Sequence, residues 1–234
     1  MKDKYNESDV TIKSPFLSKL ENFWYYHKIH VLVSVFVIIV LSVCIAQCSS
    51  REPEDVTVLY AGPASFMPEQ YAAIRDEIGN AIPIDYDGDG EKRAALITYE
   101  VMSEEQIRYY ESELETQLNR SYYTEQYQIY SKYITSGECG VFLIDPWLYE
   151  SLISQEVKIL RPLSEVMAEI PEYAVGEYGI KFSETALYKN SEYLSMIPED
   201  TILCLSKPMI MSSGSGNKEN YSKMTAMFVS MAQG

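Results

Sequence analysis

An apolar run of 18 residues, Ile29 to Ala46, constrains the fold of this chain more than any other feature of its sequence. The run contains no aspartate, glutamate, lysine or arginine. Its length is close to the roughly 20 residues that a helix needs to cross the hydrocarbon core of a bilayer. A core helix of a soluble domain is seldom apolar on every face over such a length. The run therefore predicts a transmembrane helix, which we place at residues 29–48.

Two kinds of cleaved signal are the alternatives to a permanent anchor. The apolar part of a signal peptide usually covers about 7–15 residues and ends at a small-residue cleavage site, but this run is longer, and Ala46-Gln47-Cys48 fits such a site poorly. A lipoprotein signal has a small residue directly before the modified cysteine, whereas valine precedes Cys44 and glutamine precedes Cys48. Length and flanking residues favour an uncleaved anchor.

Lysine residues give the predicted orientation of this helix. All five lysines among the first 50 residues precede the apolar run, and only Arg51 follows it closely. Because basic residues remain on the cytoplasmic side, residues 1–28 are predicted to be a cytoplasmic leader. Residues 49–54 then form a linker, and residues 55–234 form an extracytoplasmic domain. Within the leader, Pro15 to Lys28 has one apolar face and predicts a helix along the inner membrane surface.

The outer part of the chain is acidic and of a size that suits one domain. Four of the 34 acidic residues and five of the 19 lysine and arginine residues precede residue 51, so residues 51–234 carry a net charge of −16. A length of 184 residues is enough for one domain with its own core. Since the sequence offers no basic patch, nucleic acid is excluded as a partner.

Histidine and cysteine limit the chemistry of the outer part. Both histidines, His27 and His30, lie at the inner end of the apolar run, which excludes Ser-His-Asp, Cys-His and histidine-zinc sites from the outer domain. No local pattern selects a catalytic carboxylate pair, so we expect no enzyme. Cys139 and Cys204 could form a disulfide outside the cell or remain two buried thiols, and the sequence leaves both open.

Apolar patterns in the outer part alternate between strand and helix. Strands are predicted at 55–60, 94–102, 140–144, 160–163 and 201–205; helices are predicted from Pro68 to Asn80, from Ser103 to Gly137 with a break near 119–121, from Trp147 to Ile153, and at the carboxyl end of the chain. Such alternation predicts an α/β domain with a mostly parallel sheet flanked by helices and preceded by one transmembrane helix.

In sheets of this kind, ligands gather beyond the carboxyl ends of the strands. Here those ends carry Gly62, Asp145 and Trp147, which we name as candidate ligand-binding residues. Each has an equally good structural explanation: Gly62 as a turn residue, Asp145 as a helix cap and Trp147 as a packing anchor.

Two segments carry a resemblance to a known family. The stretch from Tyr122 to Val166, which contains SGECGVFLIDPWLYESL and ends in ILRPLSEV, and the opening DVTVLYAGP at Asp55 to Pro63 resemble the extracellular solute-binding proteins of bacterial ABC importers. The resemblance implies one lobe of a periplasmic-binding-protein fold and a ligand-facing role for the strand ends. The chain departs from the family because the outer part is too short for two lobes and follows a membrane helix.

A short acidic segment matches the first half of a calcium-binding loop. Asp85, Asp87 and Asp89 stand at positions one, three and five, and Gly90 follows at position six, where such loops turn sharply. Glu91 would contribute its backbone carbonyl, and its side chain or that of Glu100 could complete the shell. Leu96 stands at position twelve, where a bidentate acid is expected, so an EF-hand is not predicted. Calcium is the one cofactor that the sequence suggests, and an acidic turn without metal is the alternative.

Two binding functions remain open, besides a third function, an enzyme with a carboxylate pair, that no local pattern in the sequence supports. The first is a membrane-anchored binding domain similar to one lobe of a solute-binding protein, with an unknown small solute. The second is an interaction or scaffold protein of the cell envelope, in which side chains fill the former cleft and the partner is another envelope protein. An open pocket at Gly62 and Asp145 would favour the first, and packed side chains at these positions would favour the second.

Overall fold

The computed structural model of the chain describes residues 15–49, 54–113, 117–136, 140–156, 159–207 and 215–233. Two compact units are present, one before residue 53 and one from Pro53 to the carboxyl end. Several features considered in the sequence lie outside the described residues: the first half of the leader, most of the linker, and Cys139, whose pairing with Cys204 the sequence left open.

The first unit contains one long helix. Helix α1 runs from Pro15 to Ser49 without a break, which corresponds to about 52 Å at 1.5 Å per residue. Its segment Phe23–Ala46 is long and apolar enough to cross a membrane, with a mean hydropathy of 3.0. The amphipathic part of the leader is thus continuous with the apolar run and does not form a separate helix that turns at Lys28.

The second unit is an α/β domain. Its described strands are β1 (Val56–Gly62), β2 (Ala94–Glu100), β3 (Val141–Ile144), β4 (Ala174–Val175), β5 (Gly179–Lys181) and β6 (Ile202–Leu205). Its described α-helices are α2 (Pro68–Asn80), α3 (Glu104–Glu113), α4 (Arg120–Ser136), α5 (Pro146–Ser154), α6 (Ala186–Asn190) and α7 (Ser215–Gln233). Short 3₁₀ helices cover Leu163–Glu165, Phe182–Glu184 and Leu194–Met196.

The sheet is mixed, with the strand order β2-β1-β3-β6-β5-β4. Strand β1 pairs in parallel with both β2 and β3, while β6 runs antiparallel to β3 and to β5, and β4 and β5 form an antiparallel pair. The parallel arrangement expected for most of the sheet therefore holds for three of its strands. The predicted strand at 160–163 is wrong, because Leu160 makes only an isolated bridge to Ser206.

Alternating side chains of the strands divide the core into two layers. In β1, Val58 and Tyr60 face the layer that contains α2 and α7, whereas Leu59 and Ala61 face the layer that contains α4 and α5. This alternation follows from the two-residue period of a strand. All four residues of β3 and of β6 are buried, as expected for strands that are covered on both faces.

The helix predicted from Ser103 to Gly137 is two helices in the structure. The described part of α3 ends at Glu113 and α4 begins at Arg120, so the break predicted near 119–121 is confirmed. Ser103 and Gln106 form the predicted capping box: the Ser103 N–H donates to Gln106 Oε1 at 2.7 Å and the Gln106 N–H donates to Ser103 Oγ at 3.1 Å. This cap fixes the start of α3 just beyond the end of β2.

Candidate functional site

The predicted ligand-binding residues lie at the carboxyl ends of neighbouring parallel strands. Gly62 ends β1, and Asp145 follows β3 directly. The Asp145 N–H donates to the Ala61 carbonyl at 2.9 Å, and the Val101 N–H donates to the Gly62 carbonyl at 2.9 Å. Gly62 and Asp145 thus lie at the carboxyl ends of neighbouring strands, as predicted from the sequence. Glu100, which ends the neighbouring strand β2, was not among the candidates.

The space above Gly62 is occupied by Tyr60. Because Tyr60 and Gly62 are two residues apart in one strand, their side-chain positions lie on the same face of the sheet. A Cβ atom added at Gly62 would lie 2.6 Å from Tyr60 Oη. The Tyr60 hydroxyl also accepts a hydrogen bond from the Ala64 N–H at 3.1 Å, and the Tyr60 side chain is almost fully buried. Glycine at this position therefore makes room for a side chain of the same strand.

Asp145 is buried and both of its carboxylate oxygens have partners. Oδ1 accepts the Trp147 N–H at 3.0 Å, which makes Asp145 the N-cap of α5. Oδ2 accepts a hydrogen bond from Gln106 Nε2 at 2.8 Å. Burial raises the pKa of Asp145, the hydrogen bonds from Gln106 and Trp147 counteract this rise, and the nearby charge of Asp200 adds to it. Gln106, predicted only as a capping residue, is therefore also the link between α3 and α5.

Trp147 packs against the aromatic side chains of α4. Its ring stacks on Tyr127 with centroids 5.7 Å apart and planes inclined by 28°. Tyr127 lies next to Tyr130, with ring centroids 6.2 Å apart, and Tyr130 contacts Tyr99 of β2 at 6.4 Å. Within the part of the chain that the structure describes, Trp147 Nε1 is buried and has no hydrogen-bond partner. Trp147 is thus half-buried as a packing residue, with its polar atom turned away from solvent.

The described cavities lie away from these three residues. A shallow groove of about 660 Å³ runs along α7 and reaches Pro83 and Arg161. A polar cleft of about 620 Å³ lies around α6 and includes Lys181 and Lys189. A cavity of about 30 Å³ lies between α4 and α5. None of the three is lined by Gly62, Asp145 or Trp147.

The acidic loop before β2 brings together a different set of carboxylates from the one predicted. One oxygen each from Asp55, Asp85 and Asp87 lie within 4.8 Å of one another. Asp55 precedes β1, is buried, and accepts hydrogen bonds from the N–H groups of Tyr86 at 2.7 Å and Arg93 at 3.0 Å. Because Asp55 is 30 residues away from the loop in the chain, no local spacing could have identified it.

The other two predicted ligands face an arginine. Arg93 forms ion pairs with Asp89 and with Glu91, the latter at 2.8 Å. The Glu91 N–H lowers the pKa of Asp89 by hydrogen bonding, and Arg93 lowers it further. A cation bound by all four predicted residues would have to displace the Arg93 guanidinium, so the candidate cation site consists of Asp55, Asp85 and Asp87.

Backbone N–H groups and like charges set the electrostatics of this loop. The Gly90 and Gly88 N–H groups each donate to Asp85 at 2.8 Å and lower its pKa. In Asp87, a hydrogen bond from the Asp89 N–H lowers the pKa, but desolvation and the neighbouring carboxylates outweigh it and raise the pKa. A carboxylate whose pKa is raised by its neighbours would gain from a bound cation. Gly90 has a φ of +92°, so the sharp turn predicted at this glycine is present.

Comparison of the chain with protein families, with curated proteins and with solved structures gave no significant match. The resemblance to solute-binding proteins therefore depends on the sequence patterns at Asp55 to Pro63 and Tyr122 to Val166 alone.

Proposed function

We propose that this protein is a membrane-anchored interaction protein of the cell envelope. Residues 29–48 span the bilayer, the amino terminus lies in the cytoplasm, and the acidic α/β domain faces the exterior, where it recognises another envelope protein without catalysing a reaction. The single observation that carries the proposal is that side chains fill the space at the carboxyl ends of β1 and β3. Tyr60 covers Gly62, and Asp145 is buried with both carboxylate oxygens already bonded.

Burial and hydrogen bonding at Asp145 argue against solute binding at the carboxyl ends of these strands. Binding sites for small molecules are usually concave and largely formed before the ligand arrives. Asp145 is only 4% exposed, and a solute that approached it would have to replace the hydrogen bonds from Gln106 and Trp147. Losing such bonds without replacement is costly for buried polar groups.

Solute binding, as in one lobe of a solute-binding protein, is the second candidate function. The observation that favours it is the stack of Trp147 on Tyr127 beside the strand ends, since Trp147 is half-buried and Tyr127 is exposed. Aromatic faces of this kind can bind apolar or sugar ligands. The orphan Trp147 Nε1 would be a donor for such a ligand if α4 moved away from α5.

Two measurements on the full chain separate the candidates. Thermal unfolding in detergent would be followed in millimolar amino acids, sugars and short peptides, and a photo-crosslinking residue would be placed in living cells at Met67 or Tyr109, which are 71% and 58% exposed. We expect a discrete cross-linked protein and unchanged midpoints. A solute that raises the midpoint by several degrees, and loses this effect in Trp147→Ala, would instead establish solute binding.

A further inference from the structure

We propose that the outer edge of β2 binds an extended, basic-flanked segment of the partner protein as an added strand. The inference rests on the proposed function and names the surface and the chemical class of the partner. Addition of a strand to a sheet edge is a common mode of peptide recognition, in which main-chain hydrogen bonds give affinity and side chains give specificity.

The two edges of the sheet differ greatly in length. At one edge, β4 has two residues; at the other, β2 has seven. Proteins commonly protect an edge by shortening it or by placing lysine, proline or a bulge there. Strand β4 is short in this sense, whereas β2, with the sequence AALITYE, contains neither lysine nor proline. Within the described residues, no strand pairs with the outer edge of β2.

Three hydrogen bonds show which residues of β2 direct their backbone groups outward. Arg93, directly before β2, and Val101, directly after it, bond toward β1: the Arg93 carbonyl accepts from the N–H of Asp55, the residue before β1, at 2.9 Å, and the Val101 N–H donates to the Gly62 carbonyl. Leu96 lies an odd number of residues from both Arg93 and Val101, and its carbonyl accepts a hydrogen bond from the Tyr71 hydroxyl of α2. Because successive residues of a strand direct their backbone groups to opposite edges, Leu96, Thr98 and Glu100 face outward. Leu96 is only 3% exposed and Tyr71 occupies its carbonyl, so within the described residues the N–H groups of the half-buried Thr98 and Glu100 are left for an incoming strand.

Charge selects the occupant of this edge. The segment from Asp85 to Glu105, with β2 at its centre, contains seven acidic and two basic residues. The acidic loop precedes β2, and Glu104 and Glu105 in the first turn of α3 follow it. A second copy of β2 would bring the same acidic flanks against these and be repelled, while a strand with lysine or arginine at both ends would be attracted. The edge is therefore complementary to a basic partner and protected against self-pairing.

A designed peptide tests this surface on the full chain in detergent micelles. The probe has alternating threonine and valine between two pairs of lysines; the matched controls carry glutamates in place of the lysines, or a proline at the centre. Hydrogen exchange would be measured by mass spectrometry at single-residue resolution. We expect Thr98 and Glu100 to exchange rapidly in the free protein, and the lysine peptide to slow both about tenfold or more. Neither control peptide should do so.

Variants of the protein distinguish charge from strand pairing. Thr98→Pro removes an outward N–H while leaving the bonds of Ile97 and Tyr99 to β1, and should abolish protection by the lysine peptide. If this variant does not fold, Glu105→Lys tests the charge argument instead. It should weaken binding of the lysine peptide about threefold or more at low salt. Glu192→Lys changes net charge equally at an exposed site outside this segment and should have little effect.

Several outcomes would overturn the inference. Slow exchange at Thr98 and Glu100 in the free protein would mean that the edge is already covered, and protection that grows with protein concentration would mean self-pairing. Equal protection by lysine and glutamate peptides would refute the charge argument. If in-cell cross-links capture a partner protein while the peptide leaves β2 unprotected, the interaction function stands and this surface is wrong.

Discussion

At the level of single residues, contacts within the domain explain Gly62 and Asp145, although their positions in the sequence suggested ligand binding. Both lie at the strand ends where the sequence placed them, but their immediate neighbours are other side chains of the domain. Gly62 adjoins the Tyr60 hydroxyl, and Asp145 joins Gln106 of α3 to the first turn of α5. The helix cap given as the alternative explanation for Asp145 describes its contacts well, whereas Gly62, expected as a turn residue, ends β1 and makes room for Tyr60.

Replacing Gly62 by alanine tests the packing explanation directly. The added Cβ would lie 2.6 Å from Tyr60 Oη, so Gly62→Ala should lower the free energy of unfolding by about 1–3 kcal/mol. Removing the hydroxyl with Tyr60→Phe should make the same glycine substitution less costly, because the two residues are in contact. Urea denaturation of the four proteins measures the coupling. Additive effects would contradict the contact between Tyr60 and Gly62.

Asp145 should contribute a pH dependence of known sign. Its pKa is raised in the folded state, chiefly by burial, so the folded protein holds this proton more tightly than the unfolded chain does. Stability from this group is present at low pH and is lost as pH rises from about 3.9, the unfolded value, through the raised folded value.

The measurement for Asp145 compares the wild-type protein with Asp145→Asn, which cannot ionise but keeps a capping oxygen. As pH rises through this window, the unfolding free energy of the wild type should fall relative to that of the variant. The comparison cancels the opposite contribution of acids such as Asp85, whose pKa is lowered by backbone hydrogen bonds. A constant difference across the window would show that Asp145 is not perturbed by burial.

At the level of elements, the acidic loop illustrates what local spacing can and cannot give. Alternating aspartates and a glycine with positive φ were readable from the sequence, and the turn is present. The third carboxylate, that of Asp55, comes from the residue before β1, and Arg93 forms ion pairs with Asp89 and Glu91. These are tertiary contacts and an ion pair, and neither follows from the loop sequence alone.

Calcium binding at this loop stays a prediction. Weak extracellular calcium sites have dissociation constants near 10⁻⁴–10⁻³ M, so 10 mM calcium should stabilise the folded chain by about 1.4–2.7 kcal/mol. The readout is an upward shift of the thermal midpoint by several degrees. Asp55→Asn should remove the shift and Asp89→Asn should keep most of it. No shift with the unaltered chain would exclude the site.

Helices and strands differ in how well their patterns revealed them. Helices α2 and α5 and strands β3 and β6 were identified within two residues, because a capping or proline signal and a continuous apolar run mark them. The direction of β6 was not predictable. A strand that is apolar on both faces reads the same in either direction, and only its connection through β4 and β5 makes it antiparallel to β3.

At the level of the whole molecule, the charge and the long apolar helix define where the protein is proposed to act. Residues 51–234 carry a net charge of −16, which keeps a domain soluble and repels anionic headgroups. The segment Phe23–Ala46 meets the length and hydropathy of a membrane span. An acidic α/β domain that follows such a helix in the chain fits the proposed contacts with other envelope proteins.

Protease accessibility tests the proposed orientation. Protease added to intact cells should degrade residues 55–234 while an epitope at the amino terminus remains protected, since lysines before a span favour a cytoplasmic amino terminus. Cells permeabilised beforehand serve as the control and should lose both parts. An outer domain that survives on intact cells, or a mature chain that begins after the apolar run, would refute the anchor.

The sequence by itself determined the apolar helix, the acidic charge and lack of histidine of residues 51–234, the α/β layering and the strand ends at which Gly62 and Asp145 lie. These depend on composition and on the periods of helix and strand, which are local properties of the chain. Tertiary structure alone decided that Tyr60 fills the space at Gly62, that Asp55 joins Asp85 and Asp87, that the sheet is mixed, and that β2 is a long edge strand. Each of these depends on which distant segments meet, and apolar periodicity carries no information about that pairing.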